Sequence, residues 1–132
     1  MTETYALRAG EIDDLFEALV DAALADIPEP FQGQLSSVAV IVRDEPTPEE
    51  LAQSGARGLF GLYTGVPRTA YGAEHATYPA RIAIFRGEHL RAYHSLSALR
   101  AGVTDTVRHE VAHHLGISDT RLVELARRSP NR

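Results

Sequence analysis

The sequence predicts a single α+β domain, and three observations carry that expectation. Two short segments rich in β-branched residues read as strands, at Ser37 to Val42 and Arg81 to Gly87. Several longer segments carry the three-to-four-residue apolar period of amphipathic helices. The two kinds of segment do not alternate regularly, which argues against a parallel α/β fold. With 132 residues the chain can bury one hydrophobic core, so residues 1–132 are read as one domain.

Taken in order, Ile12, Leu15, Phe16, Leu19 and Ala23 recur at helical steps between Gly10 and Asp26, and Pro28 and Pro30 close that helix. SVAVIV, Ser37 to Val42, is expected to be a largely buried strand. Thr47-Pro48-Glu49-Glu50 supplies a capping residue, a proline at the first helical position and a capping-box glutamate, so a short helix to about Ser54 follows. Gly55 to Pro79 is rich in glycine, proline and tyrosine; GLFGLY within it is a candidate strand and the rest reads as irregular loop. RIAIFRG, Arg81 to Gly87, alternates, with Ile82, Ile84 and Arg86 on one face and Ala83 and Phe85 on the other. A helical region opens at Ser95 or Ser97, where Leu96, Leu99, Val103, Val107, Val111 and Leu115 form one stripe. Gly102 is the expected place for a kink, and Gly116 the C-terminal stop. A last helix is expected from about Thr120 to Arg128.

Composition narrows the function. A hydrophobic fraction of 44% and a charged fraction of 23% are those of an ordinary soluble globular protein. The net charge of -5 argues against general nucleic-acid binding. There is no cysteine, which excludes disulfides and thiolate metal sites and leaves histidine and carboxylate as metal ligands. The first residues lack a basic region followed by an apolar core, and no apolar run reaches membrane-span length. The expectation is a cytoplasmic protein that binds neither nucleic acid nor membrane.

The chemistry concentrates in RHEVAHHLGISD, Arg108 to Asp119. On a helix His109 and His113 stand one turn apart, about 40° in azimuth and roughly 6 Å in rise, so both imidazoles can converge on one ion. Glu110 falls between the apolar stripe and the histidine face, where its carboxylate can reach a metal-bound water without ligating the metal. Gly116 lets the chain turn back, and Asp119 arrives three residues later in position for a third ligand; it is also a good N-cap for the last helix. In a chain of this composition H-E-x-x-H arises by chance in roughly 2% of sequences, and the further Gly and Asp reduce that to about one in ten thousand. His114 falls on the buried side of the same helix and reads as a hydrogen-bonded core histidine rather than a ligand.

RHEVAHHLGISD resembles the H-E-x-x-H-x-x-G-x-x-D pattern of zincin metallopeptidases, and in particular a small bacterial family of minimal zincin-like metallopeptidases. SVAVIVRDEPTPEEL, GLFGLYTGVPRT and RIAIFRG are similar to that family's segments in the same order, so the likeness covers most of the chain. The resemblance implies a zincin-like α+β fold, in which a small mixed sheet packs with an N-terminal helix and an active-site helix. It implies Zn2+ held by His109, His113 and Asp119, with Glu110 as catalytic base. It departs from metzincins, which set a methionine turn beneath the metal, because the single methionine is Met1.

Three protein ligands leave a fourth position for water, as in catalytic and not in closed structural zinc sites. The expected function is a zinc metallopeptidase in which zinc-bound water, activated by Glu110, hydrolyses a peptide bond. A zinc hydrolase of a non-peptide amide and a non-catalytic, zinc-stabilised regulatory or binding domain stay open as alternatives. The expected partner is a peptide or protein substrate, added along the edge of the Arg81–Gly87 strand in a shallow, open groove. Tyr63, Tyr71, His75, Tyr93 and His94 are candidates for stabilising the oxyanion. GLYTGVPRT is either part of a substrate pocket or a packed turn.

Overall fold

The structure, a computed structural model, describes residues 7–55, 58–65 and 80–128. Helix α1, Ala9–Ala25, buries Ile12, Phe16, Leu19, Val20 and Ala23, the face that the apolar period marks. A 3-10 turn, Phe31–Ser37, leads into strand β1, Val38–Arg43. Helix α2, Pro48–Ser54, starts at Thr47, whose hydroxyl accepts from the Glu50 N–H at 3.1 Å while Glu50 Oε1 accepts from the Thr47 N–H at 2.8 Å. That is the capping box expected from the sequence. Strands β2, Gly61–Thr64, and β3, Ala80–Phe85, complete the sheet. Helices α3, Arg86–Ala92, α4, Leu96–Leu115, and α5, Asp119–Arg128, follow.

The sheet has the order β1-β3-β2, with β1 parallel and β2 antiparallel to β3. A mixed three-stranded sheet with helices packed on it is the α+β architecture expected. β3 is central and buried on both faces, with Ile82, Ile84 and Phe85 almost wholly covered. It therefore has no free edge, and a substrate cannot add to it; the edge beside α4 belongs to β2. β1 is also only half-buried, because it forms the far edge, and Ile41 is 38% exposed there.

α4 is the central post, packing against α1, β2, β3, α3 and α5. Leu99, Val103, Val107, Val111 and Leu115 of its stripe are buried against Phe16, Leu19 and Val20 of α1 and Ile82 and Ile84 of β3. Leu96, the first residue of that stripe, is 45% exposed. Among the described residues no helix is long and apolar enough to cross a membrane.

Two glycines behave otherwise than expected. Gly87 does not end a strand but lies in the first turn of α3, a helix that the alternating RIAIFRG pattern hides. Its N–H donates to the Asp44 carbonyl at 2.9 Å, and a Cβ there would stand 2.8 Å from that carbonyl oxygen. Gly102 leaves α4 unbroken and instead admits the Tyr93 ring, whose Cε2 would lie 2.2 Å from an added Cβ. Alanine gains about 1 kcal/mol in helix propensity, whereas overpacking costs roughly 1–3 kcal/mol. Gly102→Ala is therefore expected to lose about 1 kcal/mol net, read as a lower urea midpoint at unchanged m-value.

Candidate metal centre

α4 begins at Ser95, whose hydroxyl accepts from the Ala98 N–H at 3.2 Å, and it ends at Gly116 in the left-handed conformation (φ 73°). The Gly116 N–H reaches the His113 carbonyl at 3.1 Å and the Ile117 N–H reaches Ala112 at 3.0 Å, which closes the last turn. The helix is therefore regular through His109, Glu110 and His113. The two imidazole centroids are 4.8 Å apart and both rings are exposed. Ligand atoms of the three residues all lie within 4.8 Å of one another, a group that could hold a metal ion.

Glu110 differs from its two neighbours in being buried, at 5% exposure. Its carboxylate accepts from the Tyr63 backbone N–H, which belongs to edge strand β2. Oε1 has no hydrogen-bond partner and faces His113 Nδ1 at 3.4 Å, an electrostatic contact only. Burial pushes its pKa up, and the charges of His113 and then His109, with the hydrogen bond from the Tyr63 N–H, pull against that. An orphaned buried oxygen beside two exposed imidazoles fits a cation of the zinc class, for which nitrogen and oxygen donors are suitable.

The short approach of β2 explains how Tyr63 reaches the glutamate. A Cβ at Gly61 would meet Thr106 Cγ2 at 2.8 Å and Glu110 Cγ at 3.0 Å, so only glycine lets the strand lie directly on α4. Two residues on, the Tyr63 hydroxyl is 3.3 Å from His114 Nδ1, and His114 Nε2 is 3.0 Å from Ser37 Oγ. Ser37 donates to the Gln34 carbonyl at 2.8 Å, which leaves its oxygen to accept from His114 Nε2–H. Nδ1 then accepts from Tyr63, so one tautomer satisfies the whole relay. His114 is 2% exposed, in the buried position expected for it, and it ties the edge strand and the 3-10 turn to the helix.

Of the other candidates, Tyr93 lines a cavity beside His109 and Glu110, whereas His94 is exposed and outside it. Tyr71, His75 and the Gly65-onward part of GLYTGVPRT lie outside the described residues, apart from Gly65 itself. Asp119 is the first residue of α5, and its side chain also lies outside the description. The role of N-cap falls to Ser118, whose hydroxyl accepts from the Arg121 N–H at 3.0 Å and whose carbonyl accepts from Leu122 at 3.1 Å.

The sequence profile of a family described as zincin-like metallopeptidase matches residues 35–128, a span that holds the whole sheet and α4. The chain belongs to the zincin-like metallopeptidase family. The fold of this zincin-like chain is similar to that of a conserved hypothetical protein from Thermo thermophilus, with a TM-score of 0.52 and 26% identity. The match covers 88% of this chain and 98% of the other. No curated protein matches the chain.

Proposed function

We propose that this zincin-like protein is a zinc-dependent peptidase in which His109, His113 and Asp119 hold the ion and Glu110 is the base. One observation carries the reading: Glu110 is a buried carboxylate with an unpartnered oxygen, beside two exposed imidazoles whose ligand atoms lie within 4.8 Å of it. Bound zinc supplies Lewis-acid polarisation of a carbonyl and acidifies water. Glu110, held by the Tyr63 N–H, accepts the proton of the attacking water and returns it to the leaving amine. A closed structural site would gain nothing from such a group, which favours catalysis over scaffolding.

The edge strand favours peptides over other amides. Among the described residues β2 pairs only with β3, and although Glu110 takes the Tyr63 N–H on its outer side, the remaining outer groups of this edge can receive an extended chain lying along the centre. Ser118 caps α5, so Asp119 is not needed for that role and is left to serve as the third ligand.

Metal analysis of purified protein tests the ligand set. About one zinc per chain is expected in the wild type, and Asp119→Ala should weaken zinc binding more than about 100-fold, beyond the usual cost of an outer-shell change. No zinc after reconstitution would remove the enzyme reading altogether.

A further inference from the structure

Resting on that peptidase reading, we infer that the cavity beside Glu110 selects a substrate residue with a basic side chain, arginine ahead of lysine, through Asp105. The cavity has a volume of about 420 Å³, and His109 and Glu110 are among the residues that line it. That lies within the roughly 300–1,000 Å³ of pockets that take small ligands, and it exceeds what one side chain needs. Its walls are Leu59, Phe60 and Tyr93 with Thr106 and Asp105 of α4. Two glycines shape its walls: Gly61 brings the strand onto the helix, and Gly102 lets the Tyr93 ring lie against it.

The charge of this cavity is one-sided. Among the described residues His109 is the one basic side chain that lines it, and its carboxylates are the buried Glu110 and the exposed Asp105. Asp105 is exposed and has no ion-pair or hydrogen-bond partner among the described residues. Glu88, whose carboxylate abuts Gly58 at the cavity wall, is by contrast held by Arg91 at 3.1 Å. Asp105 is thus the acceptor left for an incoming cation.

Distance and shape agree. Asp105, His109 and His113 follow one another at four-residue steps, so Asp105 lies one turn, about 6 Å along the axis, from the first imidazole. An extended lysine places its ammonium roughly 6 Å from its Cα. A residue next to the scissile bond therefore reaches Asp105 while its carbonyl is at the centre. Phe60 and Tyr93 supply aromatic faces, on which a guanidinium stacks better than an ammonium, and a guanidinium also binds a carboxylate through two parallel hydrogen bonds.

The test uses two peptides identical except for arginine or glutamine beside the expected cleavage site. With zinc-loaded protein, the arginine peptide is expected to have a kcat/KM at least about tenfold higher, in line with a hydrogen bond to a charged group. In Asp105→Asn that ratio should collapse towards one. Binding is measured in parallel by calorimetry on zinc-loaded Glu110→Gln, with and without Asp105→Asn, so that a result is obtained even if neither peptide is cleaved. Tighter binding of the arginine peptide that depends on Asp105, without cleavage, would keep the pocket and overturn the peptidase reading. Cleavage or binding with no arginine preference, a preference that survives Asp105→Asn, or no binding of either peptide would overturn the pocket.

Discussion

Glu110→Gln is expected to lower peptide hydrolysis by about 10³-fold while zinc content stays at the wild-type level. Glutamine keeps the shape of the side chain and retains a carbonyl oxygen to accept from the Tyr63 N–H, so the local packing should survive. What it lacks is a group able to take a proton. It also removes the cost of burying a charge, since the glutamate is almost covered and one of its oxygens has no hydrogen bond. The variant should therefore melt no lower than the wild type in the absence of metal. Hydrolysis that survives the change would remove Glu110 from the mechanism. Loss of zinc together with activity would make it a ligand instead of a base.

The largest effect on stability is expected at His89, far from any role in the sequence pattern. Its ring is fully buried, with Phe16 and Phe60 edge-on at centroid distances of 5.3 and 4.9 Å. Nδ1 lies 2.7 Å from the Phe85 carbonyl, to which it donates, and Nε2 lies 2.9 Å from the Thr106 hydroxyl, which also reaches the Gly102 carbonyl at 3.0 Å. His89→Ala leaves a ring-sized hole and breaks both bonds, for an expected loss of about 3 kcal/mol or more in chemical denaturation. Burial also holds the His89 pKa below its ordinary value of 6.5, against the opposing pull of its bond to Phe85 and of the Glu88 charge. The unfolded chain then binds the proton first. The contribution is complete above about pH 6.5 and is lost as pH falls through the lower folded value. His89→Phe, which keeps a ring but cannot titrate, should show a shallower decline in stability between pH 7 and 5. Identical slopes would show that His89 carries a proton in the fold.

How much of this was legible in the sequence varies with the kind of information. The helix bearing His109, Glu110 and His113 was, because an apolar stripe of 3.6 period fixes which side is buried and hence which side the histidines take. Its stop at Gly116 and the Thr47 capping box were equally local. Strand order was not, since RIAIFRG alternates on paper whether it lies at an edge or in the centre. Only the pairing of β1 and β2 to either side of it reveals that it is central and has no free edge. Helix α3 was hidden because Gly87 discourages a helical reading, and the contact with Asp44 that requires glycine comes from the end of the neighbouring strand β1, distant in sequence. Within the site, the Tyr63 N–H could not be found by any motif, because a backbone donor leaves no residue signature. Asp105 could have been, as the next step in the 105–109–113 ridge.

The position of α4 has one more consequence. It touches nearly every other described element, so its backbone cannot open without the fold opening with it. Fluctuations that free individual segments at low energetic cost must therefore occur elsewhere, at the outer edge of β2 or in the half-covered β1. The two imidazoles and the buried carboxylate thus share the lifetime of the native state itself.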